Sequence, residues 1–192
     1  MESLAITREP ELLGWFTEKI LEARKLREKH DIFFDDDAEE VMYLAGLLTH
    51  MAQAPWLALV DARGERLDMD VASRTDKERS LRERQATYQT TAERYLLHLG
   101  LWDGLQGNQR GRFYQITESN LADRASGYYA IASDLSARLP RPLCQKQTLL
   151  RHMADHLGMW MGILMTLRGD VLNLLPVVST GQEFHLAHGS FG

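Results

Sequence analysis

The chain has one cysteine, Cys144, in 192 residues. That excludes an internal disulfide, and at this length apolar burial is enough to hold a fold without one. Basic charge is in the minority, with 22 Lys and Arg against 27 Asp and Glu, a formal charge of −5 and a pI near 5.8. A duplex-binding protein presents a concentrated basic face, so no nucleic-acid partner is expected. In the stretch RTDKERSLRERQ, Arg74, Lys77, Arg79, Arg82 and Arg84 alternate with Asp76, Glu78 and Glu83, the pattern of a solvated helix laced with one-turn ion pairs. Long apolar runs are missing as well. The longest near-continuous one, Leu157 to Leu167, falls well short of the roughly 20 residues that cross a bilayer, which predicts no membrane span. The N-terminus, MESLAITREPELLGWF, lacks the charged-then-apolar layout of a signal peptide, and with the lone cysteine this points to a cytoplasmic, bacterial-type setting. The 5 prolines and 14 glycines form no low-complexity segment or repeat.

Catalytic signatures are also scarce. There is no G-x-S-x-G elbow, no Walker loop and no dinucleotide fingerprint, and GNQRG has no strand before it. Cys144 sits at a predicted helix start, where the dipole favours a thiolate, but Leu143 and the prolines at 140 and 142 make that a packed corner. No catalytic residue is named, and the balance is against an enzyme.

What the sequence does have is helical periodicity. A first helix runs from Glu9–Glu11 to about His30, with Leu12, Phe16, Ile20, Ala23 and Leu26 as its buried stripe. Asp35, Asp36 and Asp37, with Glu39 and Glu40, read as the N-terminus of a second helix, about Ala38 to Gln53, because carboxylates there oppose the macrodipole. The aspartates lack the alternate spacing of a calcium loop. Residues 55–73 read as irregular with a short helix. A long helix from about Ser73 to Leu99 is to be capped by Gly100. Another spans about Glu118 to Leu139, and a last long one spans Leu143 to Arg168, stopping at Gly169 before a separate turn, DVLNLL. The expected fold is all-α, an irregular bundle of five or six main helices over residues 1–176, with a less regular C-terminal tail, 177–192. The second and last long helices are apolar on more than one face, which predicts a homodimer or a partner protein.

The candidate site lies in RHMADHLGMWMGILMTLRGD. His152 and His156, one helical turn apart, can present two imidazoles to one zinc or iron. The intervening MAD lacks the glutamate of H-E-x-x-H peptidases, and no E-x-x-H repeat marks a di-iron carboxylate site. His185 or His188 on the tail is the expected further donor. Met153, Met159, Met161 and Met165 with Trp160 offer a second possibility, a soft pocket for a haem or apolar ligand. The commoner fate of such residues is core packing or local hydrogen bonding. The leading expectation is therefore a non-catalytic helical interaction or regulatory domain without cofactor, and the alternative is a metal- or haem-binding protein using His152 and His156.

Three stretches, EEVMYLAGLL at 39–48, YLLHLGLWDGL at 95–105 and GYYAIASDLSARL at 127–139, resemble in order and spacing a family of uncharacterised all-helical bacterial proteins. That family has a tyrosine-leucine motif, a glycine-leucine turn after a G-D-x-x-L helix end, and a tyrosine pair. Here the G-D position reads AERYLL and the turn contains GLWDGL. The resemblance implies a helical fold and attaches no activity or site residue.

Overall fold

Ser80 fixes the start of the polar helix Leu81–Leu97. Its hydroxyl accepts the Glu83 N–H at 3.2 Å while the Glu83 carboxylate accepts the Ser80 N–H at 3.0 Å, a capping box that satisfies two donors at once. The helix therefore begins at Leu81 rather than near Ser73. The protein is described here by a computed structural model covering residues 9–27, 38–53, 80–102, 118–139 and 144–174. The sequence readings of 55–73 and of the 177–192 tail lie outside these residues. Among the described residues there are six α-helices and no strand: α1 (Glu9–Arg27), α2 (Ala38–Gln53), α3 (Leu81–Leu97), α4 (Glu118–Ala137), α5 (Cys144–Asp155) and α6 (Leu157–Leu174). A π-helical turn, His98–Trp102, continues α3. No described helix is long and apolar enough to cross a membrane.

Helices α4 and α5 run antiparallel. Ser133 donates to the Gln147 carbonyl at 2.8 Å and Ser126 to that of Ala154 at 2.9 Å, so residues that rise along one helix fall along the other. On the opposite side of α4, Tyr128 meets Tyr88 and Tyr95 of α3, with ring centroids at 5.6 and 6.1 Å. Helix α6 crosses to the π turn and to α1, antiparallel to α1 through Arg27 over Gly162 and Lys19 towards Asp170. The core follows the predicted periods. Leu12, Phe16, Ile20 and Ala23 of α1, Leu44 and Leu48 of α2, and Trp160, Ile163 and Leu164 of α6 are all buried.

Four further expectations are corrected. Leu26 is 71% exposed, because the inward stripe of α1 ends at Ala23. Gly100 is no helix cap. The chain continues through it as a π turn, and Gly100 is buried against α6 where an added Cβ would lie 2.4 Å from the Leu164 Cβ. The predicted single helix from Leu143 to Arg168 is two helices, broken at His156. There the Ala154 carbonyl takes the Ser126 hydroxyl, and the Met159 and Trp160 N–H groups converge on the His156 carbonyl at 3.0 and 3.2 Å. A side chain entering the i→i−4 ladder is an established cause of such breaks. Gly169 does not stop α6, which absorbs DVLNLL as far as Leu174.

Gly100→Ala is expected to destabilise the fold by about 1–3 kcal/mol, because the Leu164 side chain root cannot move aside without shifting α6. Gly162→Ala meets only the tip of the flexible Arg27 side chain, and a helix-propensity gain of up to about 1 kcal/mol opposes that clash. Its expected effect is near zero. Denaturant unfolding of the two variants separates them, and equal losses would contradict the rigid contact at Gly100.

Candidate functional site

Polar residues enter the bundle from four helices. On α2, Glu40, Tyr43 and His50 recur at spacings that keep them on one face, and on α3 Gln85, Gln89 and Glu93 follow one another at every fourth position. The two series meet. Tyr43 donates its hydroxyl to Glu93 Oε1 at 2.5 Å, Gln89 Nε2 donates to the same oxygen at 2.7 Å, and Gln85 Nε2 donates to Gln89 Oε1 at 2.9 Å. Lys146 of α5 reaches Gln85 Oε1 at 3.4 Å. Tyr129 of α4 closes the cluster; its buried hydroxyl abuts Tyr43 but makes no hydrogen bond of good geometry.

Burial sets the electrostatics here. It raises the Glu93 carboxyl above its ordinary range, against the pull of the Tyr43 and Gln89 hydrogen bonds and the charges of Lys146 and His50. It also lowers the Lys146 ammonium, although the charge of Glu93 opposes that shift. Tyr43 and Tyr129 are held well above the usual phenol value by the same desolvation. The hydrogen bonds of the cluster run from side chain to side chain and tie α2, α3 and α5 together.

One turn before Tyr43, a different pair forms. Glu40 is 4% exposed, and its Oε1 lies 2.6 Å from His152 Nδ1 on α5, whereas the His152 side chain is 48% exposed. The other carboxylate oxygen, Oε2, is buried with no hydrogen-bond partner among the described residues. Sequence reading assigned Glu40 to a helix-start charge and missed this role. Its signal was available in the Glu40, Tyr43, His50 series, a polar line along an otherwise apolar helix.

Of the four predicted metal ligands, His152 lies in the last turn of α5 and His156 stands at the α5–α6 break, with ring centroids 6.3 Å apart and planes at 62°. The structure brings these two together. His185 and His188 lie outside the described residues, and among the described residues no group of three or more His, Cys, Asp and Glu is placed to hold a metal. Of the methionines, Met153 is buried in the core, as is Trp160, while Met159 and Met161 are half-buried and Met165 is 43% exposed. Cys144 is the first residue of α5.

No family model, no curated protein and no solved structure matches the chain.

Because Glu93 holds its proton to higher pH in the folded state than in the unfolded chain, its contribution to stability is fully present below the unfolded carboxyl value and is lost as pH rises through the folded one. Glu93→Gln keeps an acceptor for Tyr43 and Gln89 and removes the charge. The variant is expected to lose less stability than the parent between pH 4 and pH 7, as read by denaturant midpoints across that range. Parallel pH profiles would show that Glu93 is not the group responsible.

Proposed function

We propose that this chain is a non-catalytic helical interaction domain that self-associates through its α1–α2 face. One observation carries the reading. A groove of about 600 Å³ between α1 and α2 is lined by Leu13, Gly14, Leu21 and Met42. Leu21 is 39% and Met42 48% exposed, and the place of a Gly14 side chain is open, with nothing within 4 Å. Single exposed apolar side chains are ordinary, but these share one concave surface.

A second copy is the occupant favoured by charge. The groove is bordered by Glu18, Glu22 and Lys25, so both signs lie along one helix. In an antiparallel α1–α1 pair with its two-fold axis between Leu21 and Glu22, Glu18 of each copy faces Lys25 of the other, and symmetry forms the contact twice. The apolar residues near the axis then cover one another. An interface of this kind draws on apolar burial for affinity and on the charges for orientation.

Light scattering from the full chain at tens of micromolar is expected to give a dimer mass. Leu21→Glu, on the rim of the groove, is expected to give a monomer with unchanged helix content. Glu18→Lys is expected to weaken the dimer and Lys25→Glu in the same chain to restore it. A parent chain that is monomeric, or a dimer indifferent to Leu21→Glu, rejects the reading in favour of a different partner or face.

A further inference from the structure

We infer that His152 and His156 form a binding site for a divalent transition metal, with the buried Glu40 carboxylate orienting the first imidazole. The macrodipole accounts for a carboxylate in the first turn of α2, but not for its pairing with a histidine of α5. A buried carboxylate that is bonded through one oxygen, has no partner for the other among the described residues, and pairs with a half-exposed histidine repays little of its desolvation. Apolar side chains of similar size serve such a position as well or better. What the pair does achieve is to fix one imidazole. With the Nδ1 hydrogen donated to Glu40 Oε1, the lone pair resides on Nε2, at the far side of a ring that is 48% exposed. Carboxylate–histidine pairs of this form hold metal-ligating imidazoles in the correct tautomer and raise their basicity.

The second imidazole is in register with the first. Although the helix breaks at His156, the His156 N–H still bonds the His152 carbonyl at 3.0 Å, so the turn between them is intact and the two rings rise from one edge. Their centroids stand 6.3 Å apart. Two imidazoles on a tetrahedral zinc, each at about 2.0–2.1 Å, bring their ring centres to roughly 5 Å. A bound metal would draw the His156 ring about 1 Å closer, with the Glu40 contact holding the His152 ring. Two nitrogen donors select zinc, nickel, cobalt or copper over magnesium or calcium, which take oxygen ligands. With water in the remaining positions, such a site is open and exchanging rather than a structural clamp.

The test uses the full chain without an affinity tag and zinc alone, titrated in competition with a chromophoric chelator at neutral pH. One zinc per chain is expected. His152→Gln and His156→Gln are each expected to weaken binding tenfold or more, with helix content preserved, since neither side chain is fully buried. Glu40→Gln, nearly isosteric, is expected to weaken it about 10- to 100-fold. Long-range nitrogen–proton spectra provide an independent readout: zinc is expected on Nε2 of His152 with the Nδ1 hydrogen retained. Binding that is absent in the parent chain, that survives His152→Gln, or that is lost only when His185 and His188 are replaced overturns the assignment, as does coordination through Nδ1. Zinc affinity unchanged by Glu40→Gln overturns the role of the carboxylate. None of these outcomes depends on whether the chain self-associates.

Discussion

The close approach of the π turn to α6 is the contact on which that half of the bundle depends. Gly100 lets the backbone reach the root of the Leu164 side chain, and Leu99 and Leu101 of the π turn are both fully buried. Residues two apart lie on nearly opposite sides of a helical turn. The burial of both therefore means that the turn is covered on more than one side, with α6 packed on one and α4 also in contact. Once α6 is seated on the π turn, its other side meets α1, where the Arg27 guanidinium lies across Gly162 and hydrogen-bonds its carbonyl at 3.4 Å. Two glycines thus set how closely α6 packs on its neighbours.

The break at His156 follows from a second set of ties. Helix α5 is held to α4 by the Ser126 and Ser133 hydroxyls, each bonded to an α5 carbonyl, while α6 is held to the π turn and α1. The two sets are met by separate helices that share a corner. The serine at that corner has an additional effect, because a hydroxyl on the Ala154 carbonyl occupies the acceptor that a continuing helix would offer to Gly158. The corner is also where His156 emerges one turn beyond His152.

Much of the helical layout was legible because it rests on period. The α1 stripe from Leu12 to Ala23 is buried as its spacing requires, and so are Leu121, Ala125, Ala132 and Leu135 of α4, although Tyr128 at the same period is half-buried and Tyr129 takes the inward place. The failures have a common cause: a tertiary contact overrode a local signal. Gly100 looks like a cap until α6 lies against it, and the last helix reads as continuous because nothing in RHMADHLGMW announces a hydroxyl arriving from α4. The two histidines were visible as a spaced pair. Glu40 was legible only as one member of a polar line along α2, and the placement of α5 beside α2 reveals its partner 112 residues away.

The same two contacts also define the position of α2. Glu40 meets His152 on α5, and Tyr43 meets Glu93 on α3. A shift of α2 by one turn would present Leu47, four residues beyond Tyr43, to the Glu93 carboxyl, removing a donor from a group that burial already penalises. Leaving a buried polar group unsatisfied costs about 1–3 kcal/mol. The apolar face of α2, with Leu44 and Leu48 also four apart, tolerates such a shift far better, because leucine replaces leucine in the core. Apolar packing therefore selects the face of α2 but discriminates poorly between turns, whereas the polar contacts discriminate between turns. Since Glu40 and Tyr43 are on different partners, a slip that satisfied one helix would still break the contact with the other.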